Sequence, residues 1–329
     1  MKNIPLAITF AALSLFALEP VFAAEREQIV QSGNLLPITQ EQVARYGALK
    51  VYQGIWKAID KSSTSDFLKT EEWKNLYLKP PLELKNDQDV KKAISILYDK
   101  TGDSHGSAYS QHVEDFTGRQ KYGICTNARQ GKIGYIRLSA IPRQFSTSEM
   151  KLALLSMPDI NGLILDLRDN GGGYLTESLD VATVFCKEPV LLKLKALDGT
   201  TNTHKQEGTA LFLKPMAVLI NGDTASGGEI LANILKEQRQ AKLFGTKSAG
   251  SASIRALTNT DFGYVVAVKI AEVLRKDDSA IEKTGLKPDF EIDNLPWWKT
   301  SKEIKPSDSK IFADKTVQAA AKELKNEIK

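Results

Sequence analysis

The stretch that most constrains this chain is 215–240, where an apolar run, Met216 to Ile220, meets a polar turn and then a segment patterned as a helix. Five apolar residues bounded by turn residues suit a strand buried on both faces. The turn is Asn221-Gly222-Asp223-Thr224, and from about Ser226 the apolar positions Ile230, Leu231, Ile234 and Leu235 recur at helical spacing. The backbone therefore turns sharply from strand to helix with a serine at the corner. N–H groups at a helix start have no intrahelical acceptor and point outward. Gly227 and Gly228 leave the space beside the serine open, which is what a nucleophile next to an oxyanion site needs. The same tetrapeptide, Ser226-x-x-Glu229, is also a capping box, in which serine and glutamate satisfy backbone donors and do no chemistry. Taken alone it favours the cap, so the remaining chain must decide.

Upstream, Gly162-Leu163-Ile164-Leu165-Asp166-Leu167-Arg168 has the near-continuous apolar character of an interior, parallel strand. It runs into Asp169-Asn170-Gly171-Gly172-Gly173 and then a helix over about 175–185. Glycines where a strand meets a helix present bare backbone N–H groups, which can hold a phosphate, hold a developing oxyanion or simply make the turn. Thr176 stands where a dinucleotide fingerprint needs its third glycine, and there is no P-loop Gly-Lys-Ser/Thr. Further strands are expected at 121–127, 131–139, 190–196, 211–220 and 242–245, with a helix at about 146–156. This alternation predicts an α/β core with substantial parallel pairing. Strands at about 254–260 and 263–270 form a hairpin around Asp261-Phe262-Gly263. A Trp297-Trp298 pair and a lysine-rich helix at about 309–328, with Ile311, Val317, Ala320 and Leu324 as its face, read as docking features.

The first part of the chain reads as a small helical layer after an extended lead-in over 24–38. One helix is expected over 40–60, a short one around Trp73, Leu76 and Tyr77, and a third capped by Asp87 or Asp89. Asp103-Ser104-His105-Gly106 follows it. His105, His112 and His204 are the only histidines. His112 lies in a polar, surface-like stretch, and His204 in a polar, turn-like one, Thr201 to Gly208, where it is expected to be solvated. His105 follows a helix end with glycines close on both sides, so it is the best-placed base for any histidine-assisted serine chemistry.

The N-terminus has the layout of a secretory signal: Lys2, a mostly apolar Ile4 to Leu18, a break at Glu19-Pro20 and Val21-Phe22-Ala23 before a cleavage point at Ala24. The apolar run falls short of the ~20 residues that span a bilayer. The expected location is the periplasm or the exterior, with no membrane span after signal removal. The net charge is +4, with both signs interspersed, and no basic run is interleaved with aromatics, so nucleic acid is not an expected partner. The histidines and acids show no zinc-ligand spacing, and neither metal nor cofactor is implied. Cys125 and Cys186 could pair in an exported protein, but sequence does not place them within reach.

These pieces, in this order, resemble the tail-specific, C-terminal processing serine peptidases. Leu-Ile-Leu-Asp-Leu-Arg-Asp-Asn-Gly-Gly-Gly is similar to their D-L-R-x-N-x-G-G strand and loop, and Asn221 to Glu229 to their nucleophile turn. Phe244-Gly245-Thr246 and Glu282-x-x-Gly285-x-x-Pro288-Asp289 resemble two further family segments, and residues 87–109 the helix and D-x-H loop. The resemblance implies a Clp-protease/crotonase-like spiral core of βαβ units with a small N-terminal helical subdomain, acting on a polypeptide substrate. Many members use a serine–lysine dyad, but Ser251 occupies the lysine's position here and Lys247 is out of register. The pattern resembles instead the tricorn-core branch, whose Ser–His–Ser–Glu tetrad maps onto Ser226, His105, Ser104 and Glu282. Gly227 and either Gly172 or Gly173 would supply the oxyanion donors. Only about 20 residues separate Tyr109 from Gly131, too few for the PDZ domain that dyad members insert there. The implied organisation is a signal peptide (1–23), a helical subdomain ending in the Ser-His loop (24–110), a peptidase core (111–296) and a C-terminal tail and helix (297–329). Other readings of the same serine are a small-ester hydrolase, or a non-catalytic ligand-binding protein on the same scaffold.

Overall fold

Strands buried on both faces need helices on either side, and that requirement organises the larger part of the protein. The computed structural model describes residues 35–38, 40–63, 65–103, 106–113, 125–142, 145–262, 264–300 and 307–328. The candidate signal peptide, Ser104 and His105 lie outside the described residues. Two compact units are present, each built from discontinuous chain. One comprises Leu35–Val113 with Arg255–Lys269, and the other comprises Glu114–Ile254 with Ile270–Lys329.

In the larger unit a six-stranded sheet runs in the order Phe290–Glu291, Lys242–Gly245, Met216–Ile220, Gly162–Asp166, Ile133–Leu138 and Cys125–Gln130. The first five are mutually parallel; the Cys125–Gln130 strand returns antiparallel. Strand order follows chain order, so each crossover advances the sheet in one direction, as in a spiral of βαβ units. The intervening helices are Ser146–Leu155, Leu175–Thr183 and Gly227–Arg239. Every residue of Gly162–Asp166 and Met216–Ile220 is buried, which is why both read as uninterrupted apolar runs. Because these strands are parallel, the loops after Asp166, Ile220 and Gly245 emerge together at the carboxyl edge of the sheet, where open α/β sheets place their sites.

The C-terminal segment forms two helices, Asp308–Ile311 and Lys315–Glu327, where the sequence suggested one. Asp314 breaks the run by capping the second, accepting from the Thr316 and Val317 amides. Val317, Ala320 and Leu324 then pack on Ile133, Ile164, Ala217 and Phe244 of the sheet. His204 is not in a turn: it lies half-buried in the Thr201–Gln206 strand, which pairs antiparallel with Val190–Ala196. The 211–215 segment, expected as strand, is not; the strand begins at Met216.

In the smaller unit, Gly47 at φ 84° splits the first expected helix into Gln40–Tyr46 and Ala48–Ser62. The third helix, Asp87–Lys100, is capped by Asn86 in place of the two aspartates considered, its side chain accepting from the Gln88 and Asp89 amides. Val51, Ile55, Trp73, Val90 and Leu97 form a core with Tyr264, Val266 and Val268. Those last three come from a strand that pairs antiparallel with Ser107–Val113, a strand not legible in the polar sequence there. Among the described residues no helix is long and apolar enough to cross a membrane.

Candidate active site

Ser226 is the hinge between the Met216–Ile220 strand and the Gly227–Arg239 helix, at φ 51° and ψ −123°. An L-residue at positive φ of this kind costs roughly 1–3 kcal/mol and persists only where its surroundings hold it. Two backbone bonds do so here. Its N–H donates to Ser251 O at 2.8 Å, and its carbonyl accepts from Ile230 at 3.0 Å. Its side chain makes no cap hydrogen bond, so the serine half of the capping box is not formed and the hydroxyl is left for other work. The same strained corner is used wherever a serine must project from a strand–helix turn.

Glu229 does more than a capping box asks. It is fully buried, and its carboxylate accepts from the Ser248 hydroxyl and from the amides of Gly250 and Ser251 at 2.8 Å each. Burial pushes its pKa above the usual carboxylate range, against hydrogen bonds from Ser248, Gly250, Ser251 and the Ser226 amide. The 248–251 loop in turn holds the 281–286 turn. Lys283 N donates to Gly250 O at 2.7 Å, and Leu286 N to Ser248 Oγ at 2.6 Å. Glu282 is buried within that turn. A chain of short bonds thus runs from the Gly227–Arg239 helix through Glu229 to the segment carrying Glu282. Ser251, at the position of the dyad lysine, is clamped through its backbone, and Lys247 is exposed.

The glycine loop closes on the serine corner from the neighbouring strand. Gly172 and Gly173 have φ of 94° and 149°. A Cβ on Gly172 would stand 2.6 Å from both the Gly227 nitrogen and Ser226 Cβ, and one on Gly173 1.9 Å from Ile141 O. A Cβ on Gly227 would meet Ser178 Oγ at 2.5 Å and the Gly173 nitrogen at 3.3 Å. Only glycine permits this approach. The Gly172 N–H is committed to Asn170 Oδ1 at 2.8 Å. The Gly173 and Gly227 N–H groups meet no acceptor among the described residues.

Asn170 also donates through Nδ2 to Leu138 O at 2.8 Å, and its carbonyl accepts from Ala225 N at 2.9 Å, one residue before the serine. Asp169 and Asn221 join the two loops reciprocally: Asp169 N donates to Asn221 Oδ1 at 2.9 Å, and Asn221 Nδ2 to Asp169 Oδ1 at 2.7 Å. Sequence reading placed both residues inside family motifs but gave neither a role. Beneath the loop Arg168 is buried between Asp166 and Asp314, with NH2–carboxylate distances of 2.6 and 3.0 Å. Its burial opposes the charge, but the two carboxylates outweigh this and raise its pKa.

The residues flanking the Ser104-His105 dipeptide are anchored within the smaller unit. Asp103 is buried and accepts from Lys269 N at 2.8 Å and from Arg255 NH2 at 2.9 Å. Gly106 N donates to Asp103 O at 3.0 Å, and a Cβ on Gly106 would overlap the Tyr98 ring at 1.9 Å. Cys125 and Cys186 are both free thiols, with pKa pushed up to about 12 and about 11, by burial in each case.

Residues 132–292 match Peptidase family S41. Over 169 residues the chain is 35% identical to the carboxyl-terminal-processing protease of Synechocystis sp., a stretch covering 50% of this chain and 39% of that protein, so the chain spans about two fifths of that relative's length. Among solved structures it is similar to the photosystem II D1 C-terminal processing protease, with a TM-score of 0.54 at 18% identity over 75% of this chain and 93% of that one. It is similar also to the tricorn protease, with a TM-score of 0.53 at 15% identity over 85% of this chain and 37% of that one. At these identities the two likenesses are of fold, a Clp-protease/crotonase-like core.

Proposed function

We propose, from the match of residues 132–292 to Peptidase family S41, that the chain is an exported serine peptidase cutting peptide bonds in C-terminal tails or peptides. The observation that carries this reading is the Ser226 corner. A serine at φ 51° whose hydroxyl does not cap its helix stands beside two amides, Gly173 and Gly227, that meet no acceptor among the described residues. Ser226 Oγ attacks the scissile carbonyl carbon. Its proton passes to His105, which delivers it to the leaving amine, and water then hydrolyses the acyl-enzyme by the reverse relay. The Gly173 and Gly227 N–H groups take the oxyanion; losing one such donor typically costs about 10²–10³ in rate. Gly172, the other glycine considered for this role, is spent on Asn170.

Ser104 and Glu282 complete the tetrad and orient the machinery. Support for Glu282 is its burial in a turn bonded to the loop that Glu229 ties to the nucleophile helix. Support for the tetrad over the dyad is Ser251 at the lysine's position. Export rests on Lys2, the apolar run and the Val21-Phe22-Ala23 cleavage pattern.

The test is fluorophosphonate labelling of the purified protein, read by peptide mass spectrometry. The modification is expected on Ser226 and is lost in Ser226→Ala and His105→Ala, while Lys247→Ala labels at the wild-type rate. Labelling that survives His105→Ala but disappears in Lys247→Ala overturns the tetrad. No labelling of folded wild-type protein overturns the peptidase.

A further inference from the structure

The C-terminal tryptophan pair reaches the glycine loop. Trp298 Nε1 donates to Asp169 Oδ2 at 2.9 Å, and Lys299 Nζ stands 3.2 Å from the same oxygen. Trp298 is itself fixed from two sides: Trp297 packs edge-on against it at 5.3 Å, and the Arg137 guanidinium lies 3.9 Å above its ring. Trp297 is in turn tied down, its Nε1 donating to Tyr135 Oη at 2.9 Å and its backbone N to Asp314 Oδ2 at 3.0 Å.

Asp169 is the first residue of the loop after the Leu167-Arg168 pair and sits at φ 58°. Asp and Asn enter that left-handed region more readily than other L-residues because their short polar side chains bond locally, and at Asp169 those bonds are specific. Its backbone N–H and one carboxylate oxygen go to Asn221 in the nucleophile turn; its other oxygen takes Trp298 and Lys299. From Asp169 the chain passes through Asn170, which bonds Ala225, to the glycines pressed against Ser226 and Gly227. The backbone direction set at Asp169 is thus one constraint on where the Gly173 N–H lies relative to Gly227, beside the bonds from Ile141 N to Gly172 O and from Tyr174 N to Ile141 O, each at 3.0 Å.

We propose that Trp298 and Asp169 are positioning residues for the oxyanion site: the indole N–H locks Asp169 in its left-handed turn, and so aligns the Gly173 and Gly227 donors. The inference rests on the peptidase reading above. It gives the C-terminal segment a part in the chemistry without contact with substrate.

The test uses the full chain and a fluorophosphonate probe, resolving the limiting labelling rate at Ser226 (kinact) from probe affinity (KI). Trp298→Phe keeps an aromatic ring beneath Arg137 but removes the N–H together with the five-membered half of the indole, so Asp169→Asn, which leaves the indole in place, separates the lost hydrogen bond from lost packing. Asp169→Asn keeps a residue tolerant of left-handed backbone. Each variant is expected to lower kinact about tenfold, a fraction of what deleting an oxyanion donor costs, with KI unchanged. The double variant should be no slower than Asp169→Asn alone, because the two act through one bond. Wild-type kinact in Trp298→Phe, or losses that simply multiply in the double variant, overturns the proposal. Melting temperatures are measured alongside. If Trp298→Phe is unfolded at the assay temperature, Asp169→Asn decides alone, and an unchanged kinact there overturns the proposal. A wild-type protein that does not label overturns the peptidase reading, and this inference with it; a wild type that labels beside indifferent variants overturns this inference only.

Discussion

Glu229 is a buried acid in the first turn of the Gly227–Arg239 helix, and the balance of forces on it has a measurable sign. Burial raises its pKa and the surrounding donors lower it, with burial the larger effect. A carboxyl whose native pKa exceeds its unfolded value gives up its proton first in the unfolded chain. Folding stability from this group is therefore greatest below the ordinary carboxylate pKa, and it falls as pH rises toward the raised native value. Glutamine at this position does not titrate. The stability difference between wild type and Glu229→Gln should accordingly shift against wild type as pH rises across that window, read from denaturant midpoints at a series of pH values. A difference that shifts toward wild type would mean that the donors from Ser248, Gly250 and Ser251 outweigh burial. At this scale the sequence was legible in part. Ser226 and the glycines stood out because a strand, a tight turn and a helix must meet there. The role of Glu229 did not, because Ser-x-x-Glu at a helix start has a sufficient local explanation, and the loop it holds lies about 20 residues further along the chain.

Elements were legible where periodicity was strong and local, as in Gly162–Asp166, Met216–Ile220 and Gly227–Arg239. They were missed where tertiary contacts decide. Ser107–Val113 and Thr201–Gln206 are polar segments that become strands because neighbouring strands offer them a ladder. The split of the C-terminal helix belongs to the same class, since Asp314 serves several partners at once, the Asn294 side-chain amide at 3.2 Å among them. It caps the Lys315–Glu327 helix, accepts the Trp297 amide and pairs with Arg168, all in the interior. Removing it leaves a guanidinium buried with one carboxylate in place of two. Breaking a buried pair from one side typically costs about 3–5 kcal/mol. Asp314→Ala is therefore expected to lower the melting temperature by on the order of 10 °C, measured by calorimetry. A drop of only a degree or two would mean that water or a neighbouring acid reaches Arg168 and that the network contributes little.

At the scale of the whole molecule, the sequence reading divided the chain by position, into a helical part, a core and a tail. The structure divides it by packing. The 255–269 segment, far along the chain, belongs with Leu35–Val113, and the C-terminal helices belong with the larger unit. The reason lies in the two-residue period of a strand: Tyr264, Val266 and Val268 share one face and are buried in the helical core with Val51, Ile55 and Leu97. Nothing in the helical sequence announces that its core is incomplete. Small domains are marginal because they bury a low fraction of their surface, and removing three large buried side chains and a paired strand takes away a disproportionate share. A fragment of residues 35–113 should therefore melt without a cooperative transition by circular dichroism, whereas the same fragment joined through a short linker to residues 255–269 should recover one. The joined fragment restores the buried face of the strand and both partners of Asp103, Arg255 and the Lys269 amide. Cooperative unfolding of the shorter fragment alone would show that the helices close their own core. The interleaved chain would then be a matter of connectivity and not of stability.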